Sequence, residues 1–286
     1  MTSNSYSHTV LPIIRRVRGM LLPHYGRVEF REKPGRTQEV VTDLDVVVER
    51  FYKEEFSKLY PDIPFVGEES GGDRNTSRFW LVDPIDGTSH FVRGLPFCTS
   101  QLALIENGQI VFSVVYDFVD DMLYHAERGC GAFANEHAMR VSGRLLDGSR
   151  LATVFNLRNE EAYRSYLKLQ EHCHTFQVGA SGYELAQVAS GKLDGAVYYG
   201  QAGSRDYDVA PGAFLIKEAG GTVANIGSPA QVRHRRIGSG SPAQVLQGKI
   251  CSGSRGYDYR NLNFIAANPL VFKELTEGPD AIFPIQ

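Results

Sequence analysis

Residues 79–91 read FWLVDPIDGTSHF, and the reading of the chain turns on them. Phe79-Trp80-Leu81-Val82 is a short apolar run of strand-forming residues. It delivers Asp83 and Asp86 into a tight turn. Pro84 fixes the backbone after the first acid, and Gly87 lets the main chain approach a ligand closely. From Thr88 onward the sequence opens a short helix whose first N–H groups point at an anion. Carboxylates beside an anion site repel a phosphate unless cations lie between them. That combination is what a magnesium-assisted phosphate site requires. A plain Asx-type turn with a capping Asp explains Asp83–Gly87 equally well when the stretch is taken alone.

Outward from this stretch, three further acidic positions stand at the ends of apolar segments. Gly67-Glu68-Glu69-Ser70 follows the short strand expected over 63–66. Adjacent acids at a strand end are ordinarily solvated. Asp206-Tyr207-Asp208-Val209-Ala210 opens an apolar helix that closes in Glu218-Ala219-Gly220-Gly221. Asp208 alone reads as a helix cap, as does Asp45, which follows Thr42 at the start of a helix over 45–59. Apolar spacing predicts further helices over 8–22, 159–173, 182–190 and 208–219. It predicts strands over 79–82, 98–105, 109–116, 122–125, 151–156 and 194–199, with Asn107-Gly108 as a hairpin turn. Residues 31–43, polar with a Pro34-Gly35 step, read as a loop. The polar segment 143–150 marks a soft boundary between an N-terminal α+β half (1–150) and a C-terminal α/β half (151–286). SPAQV occurs at 228–232 and again at 241–245, around Arg233-His234-Arg235-Arg236. This reads as a surface loop, with a basic partner-binding loop as the alternative.

Composition narrows the class. The 286 residues are 42% apolar and 22% charged, which excludes a disordered chain, a fibrous repeat and a disulfide-stapled miniprotein. No apolar run approaches the ~20 residues of a membrane span. Thirty basic and 33 acidic residues leave a net charge of −3, so nothing draws the chain globally to nucleic acid or anionic membranes. Positive charge for a phosphorylated substrate then comes from elsewhere, and bound metal is one source. Cys98, Cys130, Cys173 and Cys251 form no CxxC pair and read as reduced, buried thiols of a cytoplasmic protein. The first ten residues lack the basic and apolar regions of a secretory signal.

The conjunction says more than its parts. In one order the chain carries Thr42-x-x-Asp45, Gly67-Glu68-Glu69, Asp83-Pro-x-Asp86-Gly-Thr88, and Asp208 with a trailing Glu-Ala-Gly-Gly. With DGTSHFVRGLPF (86–97), GCGAF (129–133) and VGASGYELAQVASGKLDGAVY (178–198), it resembles the inositol monophosphatase family of magnesium-dependent, lithium-sensitive phosphatases. The resemblance runs from about residue 10 to Ala267-Asn268-Pro269. It implies an alternating α-β-α-β-α layered sandwich of the inositol monophosphatase and fructose-1,6-bisphosphatase type, mixing α+β and α/β halves, and a homodimer. The N-terminal half would carry most of the metal ligands, and the C-terminal half the last acid and a substrate loop. It also implies two or three Mg2+ ions per site. Glu68, Asp83 and the Ile85 carbonyl would hold the first, Asp83, Asp86 and Asp208 the second, and Glu68 with waters a weaker third. Thr88 with Asp45 would orient and deprotonate a water, assisted by Glu68, with Glu69 in support. The amides of Gly87 and Thr88 would hold the phosphate, and Lys33 on the 31–37 loop would add charge. Attack on phosphorus would be in line, with no covalent phosphoenzyme.

Departures from the family pattern bear on the substrate. Tyr207 stands where the family usually has Trp. The stretch Tyr198–Asp206 is longer than usual, which leaves Gln201, Ser204, Arg205 and Asp206 as candidate substrate contacts. Arg205 either meets a second phosphate or faces solvent. The reading is a phosphoric monoester hydrolase acting on inositol monophosphate or a similar small polyol phosphate. The enzymatic alternatives are a 3'(2'),5'-bisphosphate nucleotidase, which often carries DGTKEF where this chain has DGTSHF, and a sugar or histidinol phosphate phosphatase. A regulatory protein binding RNA or the transcription machinery is the non-enzymatic alternative, supported locally by Arg233–Arg236. The expected partner is a small phosphorylated metabolite, with neither membrane nor, as its main role, nucleic acid.

Overall fold

Two amphipathic helices open the chain and form its first layer. The computed structural model describes residues 5–33, 36–200, 205–226 and 263–285, with the backbone alone for 32, 33 and 36–41. Helix α1 (Tyr6–Leu21) buries Val10, Ile13, Ile14, Val17 and Leu21, the spacing of one helical face. Helix α2 (Asp43–Leu59) starts at Thr42, whose hydroxyl accepts the Leu44 amide while Asp45 reaches back to the Thr42 amide. Its buried stripe holds Asp45, Val48, Glu49, Tyr52 and Phe56. Between the helices, β1 (Arg31–Lys33) and β2 (Arg36–Val41) pair antiparallel, with Arg31 opposite Val41. The stretch read as a loop is therefore a ribbon. Backbone bonds build it without the apolar alternation that marks a half-buried strand.

The first sheet follows. Its strands are β3 (Phe65–Gly67), β4 (Arg78–Asp86), β5 (Thr99–Glu106), β6 (Gln109–Asp117), β7 (Met122–Glu127), β8 (Gly131–Ala134) and β9 (His137–Met139). A single-turn helix, α3 (Thr88–Phe91), follows β4. The strands lie in chain order, antiparallel except for the parallel pair β3–β4. Asn107 and Gly108, both at positive φ, make the expected turn between β5 and β6.

The second sheet comprises β10 (Arg150–Phe155), β11 (His174–Phe176), β12 (Gly195–Tyr199), β13 (Thr222–Asn225) and β14 (Phe264–Ala267). Their order is β11-β10-β12-β14-β13, with β10 parallel to β11 and β12 and β14 antiparallel to both its neighbours. Among the described residues, the helices of this half are α4 (Glu160–Gln170), α5 (Ser181–Ala189), α6 (Asp206–Glu218) and α7 (Pro269–Thr276).

Side-chain alternation along the strands sorts these elements into layers. Trp80, Val82, Leu102, Leu104 and Val114 face α1 and α2, where Trp80 stacks on Phe56 at 4.8 Å between ring centroids. Phe79, Leu81, Ala103 and Ile105 face the other way, onto Leu185 and Val188 of α5 and Val209 and Ala213 of α6. The same core takes in Ala152, Ala196, Tyr198 and Ala266 of the second sheet. The outer face of that sheet, with Leu151, Val197 and Ile265, packs on Leu169 of α4 and Val271 and Leu275 of α7. The order is α-β-α-β-α, as the resemblance implied. Every residue of β4 from Phe79 to Asp86 is buried.

Among the described residues, no helix is long and apolar enough to cross a membrane. Cys98 and Cys173 are free and buried, but Cys130 is free and exposed in the turn before β8, which corrects the expectation of burial. Cys251 and the SPAQV repeats lie outside the described residues.

Candidate active site

The site grows from the end of β4. Asp83 stands in register with Gln101 of β5 and Asp86 with Thr99, and the register slips between them. Pro84 has no amide to give the ladder, which accounts for the slip at this point. Gly87 then turns the chain with φ +78°, and a Cβ there would stand 2.5 Å from the Phe97 carbonyl oxygen. Only glycine meets both demands. The amides of His90 and Phe91 donate to the Gly87 carbonyl at 2.8 and 3.0 Å. The first amides of such a turn, those of Gly87 and Thr88, have no intrahelical acceptor.

Thr88 is buried against two acceptors. Its Oγ1 lies 3.1 Å from Asp45 Oδ1 and 2.8 Å from the Ile85 carbonyl oxygen. Asp45 Oδ2 is already taken by the Thr42 amide (2.7 Å) and hydroxyl (2.8 Å), so Oδ1 is the oxygen left for Thr88. Burial pushes the Asp45 carboxyl up to about 6. The Thr42 bonds oppose this, and the nearby Glu69 and Glu68 charges add to it.

Four acids gather beside this pair. Glu68 directly follows β3, and its amide donates to the Val82 carbonyl at 3.0 Å. Asp83 Oδ2 accepts from Gln101 Nε2 at 3.3 Å, while its buried Oδ1 has no hydrogen-bond partner. Asp86 Oδ2 accepts the Gly182 amide at 2.7 Å, with Thr99 Oγ1 at 3.4 Å. Asp208, the third residue of α6, accepts the Arg205 amide at 2.9 Å. Burial pushes Asp83 well above the carboxylate range, and the charges of Glu68, Asp86 and Asp208 push it further. Asp208 is likewise well raised, by burial and then by Glu68. Asp86 is pushed up to about 7, by burial against the opposing bond from Gly182.

The donor set fits a hard divalent cation. It is all oxygen, it is crowded with mutually repelling carboxylates, and it includes the partnerless Asp83 Oδ1. Among the described residues, no three His, Cys, Asp or Glu side chains form a ready-made cation cage. The fit therefore rests on this donor chemistry. The Ile85 carbonyl accepts Thr88 with one lone pair and keeps a second.

Several supports of the site were not visible in the sequence reading. Buried Glu49 accepts the amides of Glu69 and Ser70, both at 2.8 Å, and so fixes the loop that carries Glu68 and Glu69. Buried Glu184 accepts the amides of Val178 and Gly179 and the Tyr198 hydroxyl. Gln101 also donates to the Asp208 carbonyl at 3.2 Å. Asp206, considered above as a substrate contact, is instead buried in an ion pair with Arg74. The one available signal was an acid on an apolar helix stripe, as at Glu49 between Val48 and Tyr52. Arg205 caps α6 through its backbone. Gln201, Ser204 and the Lys33 side chain lie outside the described residues.

Fold and site together define a layered-sandwich protein built around a carboxylate cluster where elements from both halves of the chain meet. The sequence profile of the inositol monophosphatase family matches residues 11–276, and the chain belongs to that family. It is 34% identical over 213 residues to "Nus factor SuhB" of Xylella fastidiosa, covering 72% of this chain and 76% of that one. It is 30% identical over 218 residues to the "Fructose-1,6-bisphosphatase/inositol-1-monophosphatase" of Thermotoga maritima, covering 75% and 82%. Among solved structures, a Thermotoga maritima IMPase superposes with a TM-score of 0.75 at 27% identity, covering 93% of this chain and 92% of that one.

Proposed function

We propose that the protein is a magnesium-dependent phosphomonoesterase that hydrolyses inositol monophosphate or a similar small polyol phosphate. The observation that carries this reading is the buried Asp83, with its partnerless Oδ1, beside Glu68, Asp86 and Asp208 and next to the Thr88–Asp45 pair. Glu68, Asp83 and the Ile85 carbonyl would hold one ion, and Asp83, Asp86 and Asp208 a second. Bound magnesium supplies Lewis acidity, which favours ionised water and offsets charge developing on the phosphate and the leaving oxygen. Thr88 Oγ1 accepts the attacking water's proton as it passes its own to Asp45 Oδ1. Asp45 is suited to this because burial has raised its affinity for a proton while Oδ2 stays fixed to Thr42. The amides of Gly87 and Thr88 orient the phosphate.

Phosphate release with Mg2+, before and after lithium is added, tests the reading. Myo-inositol 1-phosphate, fructose 1,6-bisphosphate and 3′-phosphoadenosine 5′-phosphate would be run side by side. Inositol phosphate is expected to turn over fastest, and Asp208→Asn to lose nearly all turnover. Wild-type turnover in that variant, or no release from any ester, would sink the reading. A regulatory role is the second reading, favoured by the relatives that carry the name "Nus factor SuhB". Salt-sensitive binding of RNA or RNA polymerase that survives Asp208→Asn would support it.

A further inference from the structure

We propose that the part-buried Arg74–Asp206 ion pair is a positioning strut that sets Asp208 against Glu68 and Asp83 and thereby tunes the cation affinity of the site. The inference rests on the reading of those acids as the cation's ligands. Arg74 lies between β3 and β4, and its Nη1 donates to Asp206 Oδ2. The partners are 132 positions apart in sequence, and their side chains are 17% and 2% exposed.

Both ends of the strut are anchored to ligand-bearing backbone. On one side, Gly67 and Gly71 exchange backbone bonds of 3.0 and 3.1 Å, and Glu49 holds the intervening Glu69 and Ser70 amides. This closes the loop that presents Glu68, and Arg74 follows three residues later. On the other side, Asp206 is the first residue of α6, and its Oδ1 also accepts the Tyr207 amide at 3.0 Å. Asp208 lies two residues on, in the same helical turn.

The four acids do not share one element. Asp83 and Asp86 lie on β4, Glu68 follows the neighbouring β3, and Asp208 arrives on a helix of the other half. That helix start therefore has to be held at a set distance from the sheet. Two ties hold it. Gln101 holds the Asp208 carbonyl from β5, and Arg74 pulls on Asp206 from the Glu68 side. A buried ion pair is weak evidence for stability. Here it joins the two backbones whose separation a shared cation must match, so its effect belongs in the cation affinity.

The test is a calorimetric Mn2+ titration of the metal-stripped full chain, beside thermal unfolding in EDTA. Arg74→Met and Asp206→Asn should each weaken Mn2+ binding about tenfold, the scale of lost outer-sphere support. The double variant should be no weaker than either single one, since both remove the same contact. Arg74→Lys should recover affinity to within about threefold of wild type, because one charged donor suffices for the contact. Asp208→Asn is the reference. If it weakens Mn2+ binding while Arg74→Met and Asp206→Asn bind as wild type, the strut is overturned and the ligand assignment stands. The strut is overturned in the same way if its variants only unfold at lower temperature with affinity unchanged. Wild-type affinity in Asp208→Asn overturns the ligand assignment itself. Should Arg74→Met fail to fold, the near-isosteric Asp206→Asn decides alone.

Discussion

Thr88 holds one proton between two acceptors. Its Oγ1 is within reach of Asp45 Oδ1 and of the Ile85 carbonyl, and a hydroxyl donates once. When Asp45 is ionised, Thr88 donates to it and offers a lone pair outward. When Asp45 is protonated at Oδ1, it donates to Thr88, which then donates to Ile85. The pair is a two-position relay that needs no side-chain movement. Thr88→Val should therefore cut kcat by about 10²–10⁴, leaving the melting temperature within a few degrees of wild type. Thr88→Ser should retain most of the rate, and steady-state kinetics on the two variants beside wild type checks both. At this scale what was legible in the sequence is what is local in it. Asp83, Asp86, Gly87 and Thr88 form one contiguous motif at a strand end. Gln101 and Arg74 escaped it because their meaning lies in partners far along the chain, Asp208 and Asp206.

Helix α5 enters the site by its backbone. The Gly182 amide bonds Asp86, and a Cβ on Gly182 would lie 2.5 Å from Gln101 Oε1 and 2.7 Å from Thr99 Oγ1. Both neighbours are buried on β5, so either their side chains leave the Asp83 and Asp86 carboxylates they bond or the helix start retreats. Gly182→Ala should lower stability by about 1–3 kcal/mol, read by urea unfolding. It should also cut turnover by tenfold or more, because small displacements of positioned groups are costly. Helices and strands with strong periodicity were legible, among them α2, β4, β5 and α6. The β1–β2 ribbon was not, because its polar sequence has no apolar face to betray it. The short strands β9 and β11 were also missed. Three residues are too few to show a period of two.

The molecule as a whole buries acids outside the site as well. Asp117 is 2% exposed, and its Oδ1 accepts the Val119 and Asp120 amides at 3.1 Å. Burial pushes it up to about 6 from the ordinary 3.8. The folded state thus binds this proton more tightly than the unfolded chain does. The stabilisation is full below pH ~4 and lost as pH rises through 6. Asp117→Asn keeps both amide bonds and removes the ionisation. It should raise the melting temperature relative to wild type at pH 8, by up to ~3 kcal/mol of stability, and the advantage should shrink at pH 5. Paired thermal melts across that range give the sign directly. The layer order itself came from the family resemblance. Periodicity identifies which face of a strand is apolar but not which helix will cover it.

Helices α5 and α6, filling the space between the sheets, bear on how the chain tolerates being cut. The same side chains cover Phe79 and Leu81 of one sheet and Ala196 and Ala266 of the other. Each half alone leaves one apolar face of this shared core uncovered, the first sheet in one and α5 with α6 in the other. Fragments 1–147 and 148–286, separated in the exposed turn at Asp147-Gly148, should each be insoluble when made alone. Made together, they should find each other and restore phosphate release, because the wall each fragment lacks is carried by its complement.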